Sequence, residues 1–165
     1  MERQNLTFRQ MAWNALATYG FCFLWVITIQ LGLFFLGALL GADAGKGVIE
    51  LVMPASQSQP STFQALIWAP FFEELLYRVL PLSLAAAWDK GDGRLIRFTM
   101  IAFCGVLFGL GHGSVVSILF QGVLGYMLAR LFVKNYTSMV GAYLSCVFVH
   151  FAYNYTLTFL YVMAS

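Results

Sequence analysis

Charge is what this sequence has least of. Asp, Glu, Lys and Arg together make up 10% of its 165 residues, while 61% are hydrophobic. A soluble domain carries about 25% charged residues, so there is too little charge here to coat a water-facing surface. What charge exists is unevenly placed. None occurs from Gln10 to Ala42, none from Phe98 to Ala129, and none after Lys134. A membrane-spanning helix needs about 20 apolar residues, and each of these stretches can supply them. A net charge of +2, with the basic residues scattered through short loops, gives no stripe for nucleic acid. The three cysteines, Cys22, Cys104 and Cys146, show no CxxC spacing and read as small buried side chains. There is no HExxH and no Ser-based nucleophile elbow, so the usual zinc and serine hydrolase templates do not apply. Neither an internal repeat nor a low-complexity segment is present. The first apolar run lacks a small-residue cleavage site and reads as a retained helix rather than a signal peptide.

The expected fold is therefore all-α, a single domain over residues 1–165 forming a polytopic membrane bundle of about five helices. Span 1 is expected at Ala12 to Leu40. A loop follows from Gly41 to Ser61, with Asp43, Lys46, Glu50, two prolines and a Ser/Gln cluster. Span 2 is expected at Thr62 to Trp88, then a polar turn at Asp89 to Arg97. As one helix, Phe98 to Val133 would be roughly 54 Å long against a hydrocarbon core of about 30 Å. It must break, and Gly111-His112-Gly113-Ser114 is the place. Spans 3 and 4 are then Phe98 to Leu110 and Ser114 to Val133, and span 5 is Met139 to Val162.

Ionisable side chains inside such spans mark a site or a pathway. Here they are Glu73, Glu74, Arg78 and His150, with His112 at the break. Glu74 and Arg78 are four apart, share a helix face and suit a structural ion pair. Glu73 is rotated by about 100° from Glu74 and is free to point elsewhere. His150 and Asn154 share one face of span 5. His112 stands between two glycines, where backbone can approach a substrate closely. Phe108, one turn before it, suits an apolar filler as well as a positioning role. Together these groups fit peptide hydrolysis. A carboxylate in a low-dielectric site can act as general base to a water, and imidazole or amide N–H groups can stabilise an oxyanion. A metal is the open alternative: Glu73, His112 and His150 would make a three-ligand zinc site with a free position.

At this point the residues resemble a known family. Glu73-Glu74-Leu75-Leu76-Tyr77-Arg78 is similar to the EExxxR motif of the CAAX-protease and bacteriocin-processing (CPBP, or Abi) family. Phe108-Gly109-Leu110-Gly111-His112 resembles its FxxxH motif, and His150-Phe151-Ala152-Tyr153-Asn154 its HxxxN motif. Each alone is weak; the three in order, on separate helices, are specific. The resemblance covers about Ala65 to Tyr155. It implies a membrane-embedded endopeptidase acting on a membrane-anchored or lipid-proximal protein or peptide. It further implies Glu73 as the base, His112 holding the water, His150 with Asn154 as the oxyanion site, and Glu74 and Arg78 in support. No cofactor is expected on the glutamate-type reading of the family; zinc belongs to the metal-dependent one.

Loop charge orients the bundle. With a cytoplasmic N-terminus, Arg3, Arg9, Lys90, Arg94, Arg97, Arg130 and Lys134 lie inside and only Lys46 outside. The C-terminus then falls outside the inner membrane. Glu73 would lie about 16 Å into span 2 from the outer surface. That depth suits exported proteins with C-terminal sorting tails, which short myxosortase-like members of the family are thought to process. A prenyl-CAAX or bacteriocin substrate is the rival. Outside enzymology, a proton-coupled carrier and a silent immunity or scaffold protein are the alternatives. The first lacks a repeated half; the second has no chemical reason to keep Glu73, His112, His150 and Asn154 together.

Overall fold

The computed structural model describes residues 5–40, 63–88, 94–113 and 116–164. Among them there are five helices and no strand. We label them α1 (Phe8–Leu40), α2 (residues 64–88), α3 (Arg94–Gly111), α4 (residues 118–134) and α5 (Met139–Ala164). The all-helical bundle expected from the sequence is present. Its boundaries differ in detail. α1 starts four residues before Ala12, because Thr7 and Gln10 close its first turn through the Thr7 N–H and Gln10 Oε1 at 2.8 Å. α3 begins at Arg94, inside the stretch expected as a turn, since Arg and Leu are good helix formers. α4 begins only near Ile118. The loop expected at Gly41 to Ser61 and the tip at Ser114 lie outside the described residues.

One helix, over Phe8–Leu39, is long and apolar enough by itself to cross a membrane among the described residues. The others are shorter or are interrupted by the polar residues of the site. α1 accordingly presents much apolar surface outward, including Trp13, Leu24, Phe34 and Leu39. Its inner face is held by a buried amide network. Asn14 Nδ2 donates to Asn135 Oδ1 at 2.7 Å, and Asn135 Nδ2 donates to the Met11 carbonyl and to Ser145 Oγ, each at 3.1 Å. Asn135 thus ties α1, the α4–α5 turn and α5 together.

The α3–α4 hairpin turns where expected. α3 ends at Gly111, and the amides of His112 and Gly113 fold back onto the carbonyls of Gly109 and Leu110 at 3.2 and 3.0 Å. Gly113 then takes φ 87°, a conformation that favours glycine. The two helices approach closely at small residues. A Cβ on Gly105 would lie 2.8 Å from the Gly122 carbonyl oxygen, the small-residue contact by which helices pack without a hydrophobic driving force.

α2 is not a regular helix. Ala69–Glu74 is α-helical, but Gln64–Trp68 before it and Leu75–Val79 after it are π-helical turns. The Leu80 amide reaches the carbonyl of Leu75, five residues back. Wide turns of this kind occur often at functional sites, and here they flank Glu73-Glu74 on both sides.

Candidate active site

α2, α3 and α5 meet around the ring of Phe108, which is wholly buried. The Arg78 guanidinium lies over that ring at 4.2 Å. The rings of His112, Tyr77 and His150 stand edge-on to it at 4.6, 5.4 and 5.5 Å. Phe108 is thus the hub that sets the spacing of the two histidines. It brings the EExxxR, FxxxH and HxxxN residues, distant in sequence, to one place.

Glu74 and Arg78 are both 0% exposed, with Arg78 Nε 3.2 Å from Glu74 Oε2. They are close enough for an ion pair but are not aligned as a hydrogen bond. The two terminal nitrogens of Arg78 have no hydrogen-bond partner among the described residues. The pairing expected from their spacing is present, but Glu74 also does something the spacing did not reveal. Its other oxygen, Oε1, lies 2.8 Å from His150 Nδ1. A carboxylate paired with a guanidinium can only accept, and with Glu74 in that role the hydrogen of this bond is on Nδ1. This fixes the His150 tautomer and turns Nε2 towards Glu73, whose Oε2 is 3.7 Å away. That gap is longer than a hydrogen bond. Glu73 is 27% exposed, so of the two neighbouring carboxylates it is the one within reach of water or substrate.

His112 is held in the same manner. Its Nδ1 lies 2.7 Å from the Phe108 carbonyl oxygen. A carbonyl only accepts, so Nδ1 again carries the hydrogen, and in the neutral ring Nε2 keeps its lone pair. Asn154 lies one turn beyond His150 on α5 and is half-buried. Tyr77 went unnoticed in the sequence, though it stands four residues after Glu73. Its hydroxyl packs directly on Gly111, where a Cβ would be only 2.6 Å from it.

Zinc ligation by Glu73, His112 and His150 needs the three to converge on one point. Among the described residues no three His, Cys, Asp or Glu side chains are grouped so as to hold a metal ion. As arranged, the two imidazoles and the carboxylate are apart from the geometry of a three-ligand site.

Residues 55–156 match the model of the type II CAAX prenyl endopeptidases, Rce1-like. The chain belongs to that family. The matched segment contains α2 to the middle of α5 and with them all three motifs; α1 lies outside it. No curated protein and no solved structure matches the chain. Membership makes this an integral membrane protein and places it among the CAAX-type intramembrane proteases, hydrolases that act on membrane-anchored proteins.

Proposed function

We propose that the chain is a glutamate-type intramembrane endopeptidase, with Glu73 as the general base. The observation that carries this reading is the contrast between the two adjacent carboxylates: Glu74 is sealed between Arg78 and His150, while Glu73 is partly exposed beside His150 Nε2. A water between Glu73 and the lone pair of His112 Nε2 would be held by two acceptors, with its oxygen free to attack. On attack, the new C–O bond forms, a water proton passes to Glu73, and the carbonyl π electrons move onto oxygen. Asn154 and His150 stabilise that oxyanion, His150 doing so from Nε2 as an imidazolium whose Nδ1–H is held by Glu74. When the C–N bond breaks, the proton on Glu73 passes to the leaving nitrogen.

The substrate we propose is a membrane-anchored protein or peptide. An apolar groove of about 430 Å³ supports a lipid-embedded partner: Leu66, Ile67, Pro70 and Phe71 of α2 face Leu144, Val147, Phe148 and Phe151 of α5. It lies within a helical turn of Glu73 and His150. C-terminal sorting tails of exported proteins are one candidate class, from the charge-based orientation; prenylated CAAX proteins, reached from the cytoplasmic side, are the other, from the family.

The test is cleavage in proteoliposomes. The wild-type chain is presented with an internally quenched S-farnesyl peptide and with a peptide bearing a C-terminal apolar helix and a basic tail. Cleavage of either, abolished by Glu73→Gln with folding retained, supports the reading. Equal turnover by Glu73→Gln removes Glu73 as the base.

A further inference from the structure

We propose that Tyr77 is a catalytic hydrogen-bond donor to the oxyanion, acting from the α2–α3 side of the site. The inference rests on the endopeptidase reading above and on a count of the protons available. Hydrolysis of a peptide bond requires donors aimed at the carbonyl oxygen as charge develops on it. A neutral imidazole has one N–H. In His112 that N–H is given to the Phe108 carbonyl at 2.7 Å. In His150 it is given to Glu74 at 2.8 Å. His112 can therefore accept from a water but has nothing left to donate. His150 can donate from Nε2 only in its doubly protonated form, the form used in the step above. Arg78 is wholly buried, against Glu74 and Phe108. On the α2–α3 side a further donor beside the Phe108 hub is the hydroxyl of the half-buried Tyr77.

Its placement fits that task. Tyr77 is four residues after Glu73 on the distorted helix α2, so it follows the base by about one turn. Its ring is as near to the Phe108 hub as that of His150, at 5.4 against 5.5 Å. The phenol is half-buried, and its oxygen rests against Gly111, the residue before His112. Any Cβ at 111 would collide with the hydroxyl, so the glycine is what lets the phenol reach the His112 end of α3. In the proposed step Tyr77 transfers no proton. Its O–H strengthens its bond to the carbonyl oxygen as the C–O bond to water forms, and the water proton passes to Glu73 as before.

The experiment compares wild type, Tyr77→Phe and Glu73→Gln, each as the full chain in proteoliposomes, on the two peptide probes named above. Tyr77→Phe keeps the ring and its contact with Phe108 and removes only the hydroxyl. Loss of one oxyanion donor lowers kcat by about 10²- to 10³-fold. The expected result is a kcat loss in that range, with KM within about twofold of wild type and the melting temperature unchanged. A role confined to packing would leave kcat intact in Tyr77→Phe, and that outcome overturns the inference while leaving the endopeptidase reading in place. A rise in KM with kcat unchanged also overturns it. If wild type cleaves neither probe, or Glu73→Gln cleaves as well as wild type, the endopeptidase reading fails and this inference fails with it.

Discussion

Replacing Arg78 by alanine leaves the Glu74 carboxylate inside the bundle without its permanent cation and with only His150 beside it. Both side chains are fully buried, and their contact is 3.2 Å. Breaking a buried pair by removing one partner typically destabilises by about 3–5 kcal/mol, because the remaining charge is uncompensated. For a chain of this size 1 kcal/mol corresponds to roughly 2–4 °C in melting temperature. A fall on the order of 10 °C is therefore expected for Arg78→Ala. Arg78→Lys should lose less. It keeps the charge but gives up the planar group lying 4.2 Å over Phe108, a contact of roughly 0.5–2 kcal/mol.

The double variant Glu74→Gln/Arg78→Met separates charge from packing. Removing both members of a buried pair can be nearly neutral, so it should melt well above Arg78→Ala. The assay is thermal unfolding of the purified full chain in one detergent, followed by intrinsic fluorescence. The expected order is wild type first, the double variant and Arg78→Lys between, and Arg78→Ala last. Arg78→Ala melting with wild type would refute the argument that Glu74 depends on Arg78. A double variant no more stable than Arg78→Ala would show that the guanidinium acts through shape rather than charge.

Three further outcomes are expected. Chelators should leave proteolysis intact, since a base and donors form a complete hydrolytic set; loss of activity on chelation, restored by zinc alone, would move Glu73, His112 and His150 into ligand roles. Gly105→Ala should destabilise by about 1–3 kcal/mol in the same melting assay, because its Cβ would meet backbone of α4 at 2.8 Å with no flexible group to yield; wild-type melting would mean that the hairpin can open there freely. An impermeant thiol reagent on intact cells should label cysteine placed at Ser58 and spare cysteine at Gly91, both outside the described residues. The native thiols of Cys22, Cys104 and Cys146 are buried and should stay silent; the reverse labelling would turn the charge-based orientation over.

What the sequence made legible follows from what each feature depends on. The helices were readable because apolar length and polar breaks are local. The turn at Gly111-His112-Gly113 was readable because a helix spanning Phe98 to Val133 would overrun the bilayer. The Glu74–Arg78 pair was readable because i,i+4 spacing is a property of one helix. Three features were not reached. The Gly105–Gly122 contact left a visible trace, the Gly105-Val106-Leu107-Phe108-Gly109 spacing that marks close helix packing. The bond from Glu74 to His150 joins two helices 76 residues apart in sequence, so no local pattern could show which of the two glutamates turned inward. The Asn14–Asn135 bond, 121 residues apart, was hidden for the same reason.

The irregularity of α2 explains how two neighbouring glutamates come to differ so much. The Phe71 carbonyl accepts from Tyr143 Oη at 3.0 Å, and the groove beyond it is walled by Leu144, Val147, Phe148 and Phe151 of α5. The π-helical turn at Leu75–Val79 follows directly on the two glutamates, and each such turn inserts a residue that alters the helix direction and register. Glu74 is sealed against α5, while Glu73, about 100° round the helix, keeps partial exposure two residues from the groove wall at Phe71. The same helix thus buries the carboxylate that orients His150 and leaves open the one proposed to meet water, which is the division of labour a membrane-embedded hydrolase requires of two adjacent acids.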